Sequence, residues 1–203
     1  MGREARERRR QPAQASLLLE GLSTPAQQIV IEELALAFQG VTRKGGTSWT
    51  EAAVIDNYGS EEQMARARAE DRDMRWQEVA LDPTWSGATS WGSEWSFLDP
   101  IGYRYYLPAA LVSFVRKPNP ETSLVYSINP DSDYSLEQQS LLTAEQRASV
   151  ARALRYLAYE ELKVYSESEW VEPYIAYWHQ FDPDRDPAGR PVFPNSEDEW
   201  SED

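Results

Sequence analysis

The sequence predicts a mainly helical α+β domain with four to six helices and a small sheet of two or three strands. Helix-start patterns of the form Ser/Thr-x-x-Glu/Gln recur ahead of apolar residues at helical spacing. Two short runs, Tyr103 to Leu107 and Ser123 to Ile128, have the aromatic and β-branched residues that are typical of paired strands. Hydrophobic residues make up 41% of the 203 residues, which is enough for a buried core.

The first half of the chain predicts three helices, each opened by a Thr or Ser at the N-cap position. They start at Thr24, Ser48 and Ser60 and are expected to run to Gly40, Gly59 and about Trp76. In the first of them, Pro25 follows the cap at a position that proline favours. Apolar residues then recur on one face, which predicts an amphipathic helix that packs on a core.

The segment Phe97 to Arg116 is the densest apolar and aromatic stretch, and the domain is expected to be organised around it. The sequence Asp99 to Gly102 is typical of a turn, in which the Asp side chain accepts backbone N–H groups. Tyr103 to Leu107 then predicts a short strand, and Pro108 the first residue of a helix. Ser123 to Ile128 is the expected partner strand.

Two further helices are predicted near the C-terminus. Thr143 with Gln146 forms another capping-box pattern ahead of an inward apolar stripe. A last helix, expected at Glu169 to Gln180, is rich in aromatic residues. The predicted domain organisation is a disordered basic arm at 1–22, a single globular domain at 23–180 and an acidic disordered tail at 181–203.

Charge and composition exclude several classes of function. The net charge of −14 disfavours binding of nucleic acid by the folded body, because phosphate backbones are repelled. The chain has no cysteine, which excludes disulfides and thiolate chemistry and suits the cytoplasm. Neither a signal peptide nor a membrane span is expected, because the apolar runs are too short.

Catalytic and metal-binding motifs are scarce. His179 is the single histidine, which disfavours a Ser/His/Asp triad or a metal site built from histidines. The sequence predicts no cofactor and no metal. An all-carboxylate site for Mg²⁺ or Ca²⁺, made from Asp56, Asp71 and Asp99, stays open as an alternative.

Four residues form a candidate polar site: Asp71, Asp99, Arg104 and Tyr106. Asp71 falls on the apolar face of the predicted third helix, and a buried carboxylate must be paired or protonated. It is therefore a candidate general base, with Asp99 nearby and Arg104 as the anion partner. Alternatively, Asp71 pairs with an arginine such as Arg75 or Arg104, or the helix ends there and Asp73 caps the next turn.

Three tryptophans, Trp85, Trp91 and Trp95, lie in a Gly/Ser/Thr-rich stretch and form a candidate aromatic contact site. Flat aromatic faces of this kind can stack on sugars or pack on a protein surface. The alternative is that these side chains fold back over the core as a hydrophobic lid.

The chain resembles a family of small, mostly bacterial proteins grouped as a domain of unknown function. The similarity would cover roughly residues 25–160 and implies a compact cytoplasmic domain with no established activity. It rests on five motifs in this order: AFQGV at Ala37 to Val41, DNY at Asp56 to Tyr58, DRDMRW at Asp71 to Trp76, FLDPIGYRYYLPA at Phe97 to Ala109 and LTAEQRASVARALRYLA at Leu142 to Ala158.

Three functions follow from these observations. The first is a non-enzymatic interaction or regulatory domain, for example an immunity protein that neutralises a basic toxin through a complementary field. The second is a glycan-binding module that uses the loop tryptophans. The third is a carboxylate-dependent hydrolase around Asp71 and Asp99. The scarcity of catalytic residue types favours the first function, with a basic protein as the partner.

Overall fold

The computed structural model of the chain describes residues 16–71, 75–88, 93–117, 122–160 and 169–185. This part of the chain contains eleven α-helices and no β-strand. In chain order they are α1 (residues 16–19), α2 (Pro25–Ala37), α3 (Trp49–Asp56), α4 (Glu61–Glu70), α5 (Trp76–Leu81), α6 (Glu94–Phe97), α7 (Pro100–Arg116), α8 (Leu124–Ile128), α9 (Asp133–Gln138), α10 (Ala144–Arg155) and α11 (Val171–Ala176). Short 3₁₀ turns occupy Ser86–Ala88 and Trp178–Phe181, and a π-helical turn, Tyr156–Glu160, extends α10.

The predicted α+β class is wrong, and so is the expected number of helices. Across the described ranges there is no sheet, and both predicted strands are helical. Tyr103 to Leu107 lies inside α7, and α8 occupies most of Ser123 to Ile128. Aromatic and β-branched residues favour strands only where a pleated surface is available for packing. Here most of the same residues are buried between helices, with Tyr126 an exception, which satisfies their preference for burial equally well.

The helix α7 begins at Pro100 rather than at Pro108. The carboxylate of Asp99 accepts the backbone N–H of Gly102 at 2.7 Å, which is the bond predicted for a turn and which here caps the helix. Pro108 lies in the helix interior, where its missing N–H deprives the Arg104 carbonyl of its usual donor. Its ring is buried in the core, so packing offsets part of this loss.

The core is built around α7, which contacts α2, α5, α9 and α10. Most of its side chains are buried, and Tyr103, Leu107 and Phe114 are almost completely inaccessible. Burial of one such side chain stabilises a fold by about 1.5–3 kcal/mol. The central role expected for Phe97 to Arg116 therefore agrees with the burial of α7. None of the described helices is long and apolar enough to cross a bilayer.

The predicted helix starts are confirmed where a capping box was recognised. Thr24, Ser48 and Thr143 each accept a hydrogen bond from the backbone of their N3 residue, and the N3 side chain bonds back. The third helix is shorter than predicted. It ends at Glu70, and Asp71 has an extended backbone with φ −72° and ψ 100°.

Residues on both sides of the predicted domain limits, 23–180, also make contacts in the described structure. Leu18 is fully buried in the core, and its carbonyl accepts a hydrogen bond from the Arg116 guanidinium. At the other end, Asp182 is only 1% exposed. Residues 16–22 and 181–185 are therefore part of the packed structure. The remaining parts of the predicted arm and tail, 1–15 and 186–203, lie outside the described residues.

Candidate functional site

A cleft of about 450 Å³ opens where the start of α3 meets the end of α4, the segment after α5, and α7. The loop before α3 is fixed on α7, because the N–H of Thr47 donates to the Asp99 carboxylate at 3.0 Å. A Cβ atom at position 102 would lie only 2.5 Å from the Thr47 carbonyl oxygen, so Gly102 permits this approach. Trp49 and Thr50 are thereby placed at the edge of the cleft.

Three carboxylates line the cleft, those of Glu70, Asp71 and Asp82. Asp71 accepts hydrogen bonds from the N–H and the hydroxyl of Thr50, each at 2.7 Å. Asp82 accepts from the hydroxyl and the N–H of Thr84 at 2.6 and 2.8 Å, and these bonds lower the pKa of Asp82. All of these donors are neutral. They orient the two carboxylates but bring no positive charge; the Arg43 guanidinium lies close by and donates to the backbone carbonyl of Asp71 at 3.0 Å.

The described residues provide no ion-pair partner for any of these three carboxylates. Some acids elsewhere in the described structure do form ion pairs: Glu51 pairs with Arg68, and Glu33 with Arg152. Burial alone would raise the pKa of Glu51. The hydrogen bond from Arg68 and the N–H of Ser48 outweigh that effect, and the pKa is lowered. The three cleft carboxylates thus differ from these acids in having no ion-pair partner among the described residues.

Aromatic rings form the floor of the cleft. The Trp49 ring lies 5.3 Å from that of Trp85 and 5.5 Å from that of Tyr106, both in edge-to-face contact, and Trp85 stacks on Tyr106 at 5.8 Å. Trp49 is fixed further, because its backbone N–H donates to the Tyr106 hydroxyl and its indole N–H to Ser86, each at 3.0 Å. Trp85 is half-buried, and its indole N–H has no acceptor among the described residues. Three aromatic rings in mutual contact therefore line the same cleft as the carboxylates.

The structure brings only some of the predicted site residues together. Asp71, Tyr106 and Trp85 line the cleft, whereas Asp99 and Arg104 do not. Asp99 caps α7, as described above. Arg104 donates its Nε–H to the Gln146 side chain at 2.9 Å and borders a separate, smaller pocket.

The other two predicted aromatic residues do not line the cleft. Trp95 is buried behind it, 1% exposed, with its indole N–H donating to the Gly87 carbonyl at 3.2 Å. Trp91 lies outside the described residues. Sequence reasoning missed Glu70, Asp82 and Trp49. Only Asp82 had a local signal, since Asp-Pro-Thr is typical of a turn in which Asp accepts from the residue two positions on.

The acidic residues of the described segments do not converge as a metal site. No group of three or more His, Cys, Asp or Glu side chains in these segments could hold an ion. Asp56, considered with Asp71 and Asp99 as a carboxylate ligand, accepts a hydrogen bond from the Ser93 hydroxyl at 2.5 Å.

Comparison with known proteins gives one match. The profile of a family of unknown function, DUF6714, matches residues 26–182. The chain belongs to this family. The matched range includes all the elements that form the cleft, so the cleft is part of the family domain. No curated protein and no solved structure matches the chain. Because a fold does not specify an activity, any role for this DUF6714 domain has to be argued from its surface chemistry.

Proposed function

We propose that the protein is an interaction domain that binds a basic protein partner, and that its cleft receives a lysine or arginine side chain of that partner. The observation that carries this proposal is that three carboxylates with no ion-pair partner among the described residues line the same cleft as three aromatic rings in mutual contact. A cation held over an aromatic face gains about 0.5–2 kcal/mol, more as it is desolvated. Carboxylates at the rim would add charge-assisted hydrogen bonds to the same cation.

The charge of the whole molecule supports the same kind of partner. With a net charge of −14, the protein attracts basic surfaces over a distance and repels phosphate backbones. Such complementarity increases the rate of association more than it increases affinity, and it weakens as salt rises. We therefore expect binding that is fast and salt-sensitive.

A basic toxin such as a nuclease is one partner of this chemistry, and the domain would then act as an immunity protein in the cytoplasm. The alternatives have less support in the geometry. A hydrolase would need Asp71 and Asp99 in one cleft, and Asp99 instead caps α7. The glycan platform would use Trp85, Trp91 and Trp95 together, and of these Trp95 is 1% exposed and does not line the cleft.

The proposal can be tested by calorimetric titration with two probes, N-acetyl-arginine amide and an octa-arginine peptide. The decisive variant is Glu70→Gln, because Glu70 makes no hydrogen bond or ion pair in the described structure and its loss should leave the fold intact. We expect both probes to bind and to bind more weakly at high salt. Glu70→Gln should weaken both by about threefold to fivefold, the size of one solvent-accessible charge pair.

A matched control is Glu172→Gln on α11, which removes the same charge from an exposed position outside the cleft. If the control weakens binding of N-acetyl-arginine amide as much as Glu70→Gln does, the protein attracts cations only through its overall charge. If the wild-type protein binds neither probe at low salt, the proposed function is wrong.

A further inference from the structure

Tyr58, in the turn between α3 and α4, combines two unusual properties. It is the only residue other than glycine with a positive φ in the described part of the chain, at 55°. Its side chain is also 98% exposed. Left-handed backbone is unfavourable for a residue with a bulky side chain, because Cβ approaches the following carbonyl oxygen. The fold therefore holds this tyrosine in a strained conformation while burying almost none of it.

The hydrogen bonds around Tyr58 show which residue the turn would otherwise favour. The N–H of Gly59 donates to the Val54 carbonyl at 2.9 Å, and the N–H of Tyr58 donates to the Ile55 carbonyl at 3.0 Å. This pair of bonds is the Schellman motif that ends many helices, with Asn57 as the C-cap of α3. The position that Tyr58 occupies is the one where glycine is strongly preferred.

Packing does not explain why a tyrosine stands there. Its ring makes no hydrogen bond or aromatic contact in the described structure, and it is almost fully in water. The neighbouring position 59 could not hold the tyrosine instead. A Cβ at Gly59 would lie 2.3 Å from a methyl group of Val54. Backbone strain without a packing benefit is a feature of residues kept for function.

We infer that Tyr58 is a second contact residue for the basic partner, and that an arginine or lysine side chain of the partner lies on its ring. This inference rests on the proposed function. Carboxylates flank the ring along the chain: Asp56 precedes it, and Glu61 and Glu62, the latter paired with Arg66, lie in the first turn of α4. An exposed aromatic ring among acids attracts a cation by the cation–π interaction. Tyrosine is also enriched at protein interfaces, where its rigid ring loses little entropy on binding.

The two contact sites lie at opposite ends of α3. Thr50 borders the cleft, and Tyr58 follows the last turn, about 12 Å further along the helix at 1.5 Å per residue. A single amino acid cannot reach both sites. An extended peptide of eight residues spans roughly 26 Å and can. The two probes of the previous section therefore separate the sites, because only octa-arginine can contact Tyr58 and the cleft together.

The test uses Tyr58→Gly and Tyr58→Ala, which both remove the ring but differ in the backbone. Glycine relieves the strain and alanine does not, so Tyr58→Gly should unfold about 2–4 °C above Tyr58→Ala in a thermal scan. Both variants should bind octa-arginine about twofold to fivefold more weakly than the wild type, the size of an exposed cation–π contact. Binding of N-acetyl-arginine amide should not change. As a control, Tyr126→Ala removes another exposed tyrosine, on α8, and should leave both titrations unaltered.

The possible outcomes separate the two proposals. One outcome is that Glu70→Gln weakens binding of both probes while both Tyr58 variants bind octa-arginine like the wild type. In that case the proposed function of the cleft is supported and the role inferred for Tyr58 is wrong. If Tyr58→Gly is no more stable than Tyr58→Ala, the tyrosine is not held at a cost to the fold, and the inference is overturned on that ground. If neither probe binds the wild-type protein, both proposals fail.

Discussion

The ion pair between Arg155 and Asp182 should contribute far more to stability than an exposed pair of the same chemistry. The Asp182 side chain is 0% exposed, that of Arg155 is 12% exposed, and the two are 3.2 Å apart. Asp182 also accepts hydrogen bonds from the Tyr174 hydroxyl at 2.8 Å and the Asp184 N–H at 3.0 Å. These contacts attach the residues after the Trp178–Phe181 turn to α10 and α11.

Substitution Arg155→Met keeps the aliphatic bulk and leaves the Asp182 carboxylate buried without its cation. Removal of one partner from a buried pair costs about 3–5 kcal/mol. For a protein of this size that corresponds to a fall of about 6–20 °C in Tm. Replacing both residues, with Arg155→Met and Asp182→Asn together, should cost less than the sum of the two single changes, because no charge is then left buried.

The assay is thermal and urea unfolding of each variant at pH 7, with Arg66→Met as the control. Arg66 pairs with Glu62 one helical turn away, but the two side chains are 68% and 85% exposed. An exposed pair of that kind contributes about 0.3–0.5 kcal/mol. If Arg155→Met and Arg66→Met lowered Tm equally, the reasoning from burial would be refuted, and the position of Asp182 in the core would be in question.

Three further predictions follow from single contacts. Gly102→Ala should lower Tm even though alanine is the better helix former, because its Cβ would lie 2.5 Å from the Thr47 carbonyl oxygen; thermal unfolding measures this. The pKa of Glu51 is lowered in the fold, so this carboxylate stabilises the protein above the ordinary glutamate pKa, and that contribution is lost as pH falls through the lower folded value. Arg68→Met should therefore flatten the dependence of Tm on pH between about 3 and 5, and an unchanged profile would contradict the assignment. Trp76→Phe removes the donor of a buried 3.0 Å bond to a carbonyl just after α2 and should cost about 1–3 kcal/mol in urea unfolding.

Local signals in the sequence were sufficient for helix starts and insufficient for the class of fold. Capping boxes at Ser48 and Thr143 were read correctly because all of their hydrogen bonds lie within four residues. The Asp99-Pro100 pair was also recognised, but one hydrogen bond to Gly102 serves an isolated turn and a helix cap equally well. Whether residues 103–107 then form a strand or a helix depends on the surface they pack against. In this protein that surface consists of other helices, which local patterns do not reveal.

The candidate site was only half predictable for a similar reason. Asp71 was singled out as an acid on an apolar helix face, and in the structure the helix ends one residue earlier. It lines the cleft because its carboxylate accepts from Thr50, a contact across 21 positions of sequence. Asp82 and Trp49 join it through the same approach of α3 to the segment after α5. No spacing rule connects these positions, since the approach depends on long-range contacts such as those of Trp49 with Tyr106 on α7 and with Trp85.

Two features beside α3 indicate that this part of the fold is less stable than its sequence could make it. Tyr58 stands where glycine would relieve the backbone, and the cleft holds three carboxylates that form no ion pair with the described residues. Acids that fasten the scaffold, such as Glu51, Glu33 and Asp182, are paired with arginine. Selection for stability alone would not retain both the strained Tyr58 and the unpaired carboxylates near one helix, whereas both features favour binding of a basic partner. Glu70→Gln should accordingly leave Tm unchanged or raise it slightly while weakening the arginine probes. A Glu70→Gln variant that unfolded at a clearly lower temperature would instead make Glu70 part of the scaffold.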